Sequence, residues 1–91
     1  MKIKEIINDS HTTIVDVRTA EEFAQGNVSD SINIPLDRVV EKTEYLIEMQ
    51  PLVLCCLSGV RSGRATKYLR SQGCKHVYNG GGWEEVQGQR N

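Results

Sequence analysis

Residues Cys56 to Arg64 read CLSGVRSGR, which gathers one thiol, two hydroxyls, two glycines and two guanidinium groups into nine positions. The span follows the apolar run LVLCC (Leu52 to Cys56) and leads into a helical pattern, so it reads as a strand-to-helix turn. At such a turn the first N–H groups of the helix lack partners and the dipole is positive, which favours an anion. A cysteine held there ionises readily, its pKa falling from about 8.5 to roughly 3.5 to 7.5. Cys56 is therefore the expected nucleophile, with the peptide groups of Leu57, Ser58, Gly59, Val60 and Arg61 curled around its sulfur. Gly59 supplies a positive φ or room for an anion to approach, and Ser58 and Ser62 add small hydroxyl donors. Arg61 is a cation at the end of the helix where the dipole disfavours it, which points to anion recognition shared with Ser62.

The remaining reactive side chains have plainer readings. Cys55 alternates to the other side of the strand and should pack rather than react. Cys74 lies beyond the far end of a helix over 62–72, about 16 Å from Cys56 at roughly 1.5 Å per residue, whereas a disulfide needs Cα atoms within about 7 Å. Adjacent cysteines diverge and no CxxC pair exists, so Cys55, Cys56, Cys74 and His76 are not expected to hold a metal. His11 and His76 suit surface or capping positions, and Arg64 and Lys67 a solvated helix face. Asp16 and Arg18 are expected to be structural, an ion pair or hydrogen-bond brace near a strand end, and Trp83 to cover the core.

The elements that must position this loop alternate between strand and helix. Thr12 to Val17 is rich in β-branched residues and reads as a strand, and Thr19 is an N-cap for a helix Ala20 to Gln25 that stops at Gly26. Ser31 to Pro35 reads as a short strand or extended connection, and Leu36 to Met49 as one amphipathic helix with Thr43 misplaced on its apolar stripe. Leu52 to Cys56 is too continuously apolar for a strand with a wet face and belongs at the centre of a parallel sheet. Ser62 to Gln72 is a helix ended by Gly73, His76 to Tyr78 a last strand, Gly80 to Gly82 a loop and Trp83 to Gln87 a final helical turn. The fold class is α/β.

Ninety-one residues, read as one domain over 1–91, leave no room for a second core. A hydrophobic fraction of 38% with 25% charged residues fits a globular chain and excludes collagen-like and disordered classes. Eleven basic against twelve acidic residues, net −1, give no global field for nucleic acid. The longest apolar run is far too short to span a membrane, and Met1 to Asn8 lacks the apolar stretch of a signal peptide. Three cysteines cannot all pair within one chain, which suits the reducing cytoplasm.

Cys56, Gly59 and Arg61, leading through Ser62 into a helix, resemble the active-site loop of the rhodanese family of single-domain sulfurtransferases. The similarity extends to Asp16-Val17-Arg18, Glu22-Phe23, the stretches Gly26-Asn27-Val28 and Ser31 to Pro35, and Gly80 to Trp83, so it covers residues 12 to 87. It implies a parallel sheet of four or five strands with helices on both faces, and a persulfide on Cys56. By the same resemblance the donor is a small sulfane-sulfur anion such as thiosulfate, the acceptor a thiol, a protein thiol or cyanide, and no cofactor is required. Two departures stand out: Leu57 replaces an arginine common beside the family's nucleophile, and Asn27 with Asp30-Ser31 replaces His and Gly-Ala. Phosphatases of this fold space Cys and Arg with five residues; here only Leu57 to Val60 intervene, a ring suited to one sulfur rather than a tetrahedral oxyanion. The alternative is a catalytically quiet persulfide carrier or partner-binding module.

Overall fold

A computed structural model describes residues 2–91. In chain order the elements are α1 (Ile3–Ile7), β1 (Thr13–Asp16), α2 (Ala20–Gln25), β2 (Ile32–Asn33), a 3-10 turn (Leu36–Arg38), α3 (Thr43–Glu48), β3 (Leu52–Cys56), α4 (Val60–Ser71), β4 (Val77–Gly82) and α5 (Trp83–Gln89). The four strands form one sheet in the order β2-β1-β3-β4, every pairing parallel. All the carboxyl ends therefore lie along one edge, where Cys56 ends the central strand β3. This edge is where open α/β sheets bind ligands.

Each residue of β3 is buried, and the pleat divides them between two cores. Leu52, Leu54 and Cys56 face Val15, Val17, Leu46, Ala65 and Leu69, under α3 and α4. Val53 and Cys55 face Ile6, Ile7, Ile14, Val28 and Val86, under α1 and α5. The expected α/β sheet with helices on both faces is what the chain forms, with four strands.

Three elements differ from the sequence reading. Leu36 to Met49 is not one helix: a 3-10 turn ends at Arg38, and α3 begins only at Thr43. The Thr43 hydroxyl bonds back to the carbonyls of Val39 and Val40 at 3.2 and 2.8 Å, the local competition that makes threonine a poor interior helix residue. Gly80 to Gly82 is not a loop but the end of β4, which passes so close to its neighbours that side chains do not fit. A Cβ on Gly80 would stand 2.7 Å from Val53 Cγ1, and one on Gly82 2.7 Å from the Leu57 carbonyl oxygen. Finally, α1 has no counterpart in the sequence reading, although Ile3, Ile6 and Ile7 have the i, i+3, i+4 spacing of a one-sided helix.

Candidate active site

The polypeptide leaves β3 at Cys56 and turns into α4 within four residues, Leu57 to Val60. Gly59 makes the turn at φ 98, the left-handed region that glycine enters without strain. Helix α4 thus starts at Val60, two residues earlier than Ser62. Its first turn and the loop bring three donors onto Cys56 Sγ: the Gly59 amide at 3.0 Å, and the Ser62 amide and hydroxyl, both at 3.4 Å. The expected ring of amides is therefore made by Gly59 and Ser62, with a weaker contribution from Ser58; Leu57, Val60 and Arg61 give no amide bond to the sulfur.

Cys56 is 1% exposed, and burial is the largest single influence on its ionisation, pushing the pKa up. The hydrogen bonds from Ser62, Gly59 and Ser58 outweigh it, and the thiol is held below its ordinary value. Cys55, one residue away on the opposite face, has no such donors: burial pushes it up to about 12. Cys74 is likewise raised, mainly by burial. All three cysteines are free. Of these three thiols, the fold prepares one to be an anion.

Two cations beside the loop, Arg61 and Arg18, are already paired. The Arg61 guanidinium meets Glu22 at two points, Nη1 to Oε1 at 2.7 Å and Nη2 to Oε2 at 3.0 Å, so its charge is compensated within the protein. That pair, with bonds from Thr19, lowers Glu22 to about 2. Asp16 and Arg18 form the expected ion pair: Arg18 Nε reaches both Asp16 carboxylate oxygens at 3.0 and 2.9 Å, and Nη2 reaches Oδ2 at 2.7 Å. Arg18 also donates to the carbonyls of Glu22 and Gly26 and lies 4.9 Å over the Trp83 ring, binding the end of β1 to both ends of α2. Leu57 and Val60 stand outward at the mouth, 60% and 67% exposed.

A model of the rhodanese-like domain matches residues 2–89 of the chain. The chain belongs to the rhodanese-like domain family. Among its relatives, the putative sulfurtransferase YtwF of Bacillus subtilis (strain 168) is 36% identical over 92% of this chain and 93% of its own length. A sulfurtransferase of Allochromatium vinosum is 35% identical over 72% of this chain and 62% of its own length. A solved structure titled rhodanese with anions from E. coli superposes with a TM-score of 0.73, at 32% identity over 81% of this chain and 89% of that one. The chain spans 52% of YqhL of B. subtilis and smaller shares of other curated relatives, down to 24% of a tRNA uridine(34) hydroxylase.

In this rhodanese-like chain two side chains bear on the loop that the sequence reading does not assign to it. Glu22 enters the sequence reading only in the Glu22-Phe23 pair of the family resemblance, with no link to the loop, yet it holds Arg61. Asn79, on β4, donates from Nδ2 to the Gly59 carbonyl at 3.0 Å and accepts from the Ser62 hydroxyl at 2.7 Å. A lone asparagine before glycines signals a turn, and nothing local in sequence shows that β4 lies beside the loop. Among the described residues no group of three or more Cys, His, Asp or Glu could hold a metal ion.

Proposed function

We propose that the protein is a sulfurtransferase in which Cys56 carries sulfane sulfur as a persulfide. The observation that supports this is the Cys56 sulfur, held by Gly59 and Ser62 at the carboxyl edge of the sheet with its pKa lowered. With thiosulfate as donor, the thiolate attacks the outer sulfur, the S–S bond of the donor breaks, and sulfite leaves with the bonding pair. The product is Cys56–S–S⁻, and the negative charge remains close to the donors that held the thiolate. An acceptor thiolate or cyanide then attacks the outer sulfur and leaves as its persulfide or as thiocyanate, returning Cys56 as thiolate. Atoms and charges balance without cofactor or metal, and no general base is needed once the thiol is ionised.

Two surface clefts flank the loop, neither of them lined by Cys56 itself. Arg61 lines one of about 410 Å³ with Val17, Pro35 and Leu36, and Leu57 lines another of about 370 Å³ with Arg18 and Trp83. The second reading, a persulfide carrier with little turnover on small donors, is favoured by the apolar mouth at Leu57 and Val60 and by the pairing of Arg61. Free thiols support a reducing compartment, and the reading places the protein in the cytoplasm; among the described residues no helix is long and apolar enough to cross a membrane.

The experiment is mass spectrometry after incubation with thiosulfate. The reading requires a gain of one sulfur atom on Cys56, removed by dithiothreitol and absent in Cys56→Ser. An unchanged mass with thiosulfate and with a low-molecular-weight persulfide defeats both readings. Loading without steady-state thiocyanate production selects the carrier.

A further inference from the structure

Asn79 occupies an exposed position on β4, yet all three of its side-chain bonds go to the loop or its flank. Nδ2 donates to the Gly59 carbonyl at 3.0 Å, while Oδ1 accepts from the Gly81 amide at 3.0 Å and the Ser62 hydroxyl at 2.7 Å. These partners fix which way the amide faces. Turned over, Nδ2 would meet the Gly81 N–H and Oδ1 the Gly59 carbonyl, a clash of like groups on both sides. Asn79 therefore always presents an acceptor to Ser62.

Ser62 is fully buried, and its hydroxyl has one proton and two neighbours that accept it: Asn79 Oδ1 at 2.7 Å and Cys56 Sγ at 3.4 Å. A neutral thiol is a weak acceptor, so the proton rests on Asn79 and a Ser62 lone pair is free to accept the S–H. A thiolate or persulfide anion is a much stronger acceptor, and hydrogen bonds to charged groups are roughly twice as strong as neutral ones. The hydroxyl then turns toward sulfur and Asn79 gives up its share.

We infer that Asn79 is a positioning residue for the Cys56 site, orienting the Ser62 hydroxyl and competing for its single proton, so that charging the sulfur is coupled to rotation of that hydroxyl. This rests on the reading of Cys56 as the reactive sulfur. Of the charged and titratable groups around Cys56 and Asn79, Glu85 of α5 accepts from the Gly82 amide at 3.3 Å, beside Gly81. Cys55 lies on the opposite face of β3, Asp16 at the end of β1 is paired with Arg18, and Arg61 on α4 is paired with Glu22 of α2.

The test is the pH dependence of alkylation by iodoacetamide, assigned to Cys56 by tandem mass spectrometry, in the wild type, Ser62→Ala, Asn79→Asp and the double variant. Ser62→Ala raises the Cys56 midpoint by about one unit, the loss of one hydrogen bond to a charge. Asn79→Asp keeps an acceptor toward Ser62 and Gly81 but loses the donor to the Gly59 carbonyl and turns the competitor into a carboxylate, so its shift sums a charge effect and a disturbed Gly59 turn, both present in either background, with retention of the Ser62 proton, which needs the hydroxyl. The coupling therefore makes the Asn79→Asp shift larger in the wild-type background than in the Ser62→Ala background. Equal shifts in the two backgrounds, or none, overturn it. Should Asn79→Asp fail to fold, the wild type still decides: the Asn79 side-chain 13Cγ resonance must titrate with the Cys56 midpoint and cease to do so in Ser62→Ala. Neither readout uses a sulfur donor, so failure of sulfur loading and failure of this coupling are separate results.

Discussion

The Arg61 guanidinium and the Glu22 carboxylate face each other at 2.7 and 3.0 Å, tying the first turn of α4 to the first turn of α2 across the mouth of the Cys56 loop. A cation at a helix start is disfavoured by the dipole, and here it is stabilised by a carboxylate from another helix. On the proposed reading, an anionic donor meets Arg61 with its charge already answered. Glu22→Gln releases that charge, and the KM for thiosulfate is expected to fall several-fold with little change in kcat, an effect that about 0.5 M salt should erase by screening. An unchanged KM would show that Arg61 does not reach the donor.

The same pair has a pH signature. Glu22 is lowered from 4.5 to about 2 by Arg61 first and Thr19 second. A depressed carboxylate contributes stability above its unfolded value and loses it as pH falls through the folded one. Urea unfolding of wild type should therefore weaken between pH 4.5 and about 2 more steeply than that of Glu22→Gln. Parallel curves would mean the bridge contributes nothing to folding.

Asp16 is fully buried and Arg18 nearly so, and the two share the bidentate pair at the end of β1. Removing one partner of a buried pair leaves the other charge without compensation and costs about 3 to 5 kcal/mol. Asp16→Ala and Arg18→Met should each lower the unfolding free energy obtained from urea titration by that order, and the double variant by less than the sum of the two. The fraction that remains folded should still alkylate at Cys56, because neither side chain donates to the sulfur.

Most of this site was legible because its signals are local. An unbroken apolar strand, a glycine three residues after the thiol and a helix pattern beginning at once define a turn whose amides must converge, and they do at Gly59 and Ser62. The Thr19 cap was legible for the same reason, its hydroxyl bonding the Glu22 amide at 3.2 Å. What the sequence hid is long-range. Asn79 and Glu22 reach the loop across 17 and 39 positions, through a sheet order that no local pattern states. The triple glycine misled because glycine signals both a turn and a close approach; at Gly80 and Gly82 the close approach to Val53 and Leu57 decides. The Leu36 to Met49 error arose because apolar spacing alone does not weigh a threonine that bonds its own preceding carbonyls.

Gly59 joins the two requirements at one residue. Its φ of +98 is left-handed, and a Cβ there would stand 3.1 Å from Gly81 Cα. Gly59→Ala is expected to cost about 1 to 2 kcal/mol for the backbone alone, read as a lowered midpoint in urea. Because the Gly59 amide is the shortest contact to the sulfur, Cys56 alkylation at neutral pH should slow as well. Gly73, also at positive φ but with no atom within 4 Å, is the control: alanine there should destabilise without changing the alkylation rate.

Leu57 tests whether the mouth limits the choice of donor. Its side chain is 60% exposed beside Cys56, and an arginine stem can cover the same apolar surface, so Leu57→Arg should fold as the wild type does. A guanidinium there adds a cation near the path of a dianion, in a cleft that Glu22 and Glu84 also line. An exposed charge pair contributes up to about 1 kcal/mol, so the thiosulfate kcat/KM should rise by roughly fivefold, chiefly through KM and only at low salt. Loading from an uncharged persulfide donor should stay unchanged. If thiosulfate loading stays unchanged too, donor selection lies elsewhere than at position 57, and Arg61 released from Glu22 becomes the cation to examine.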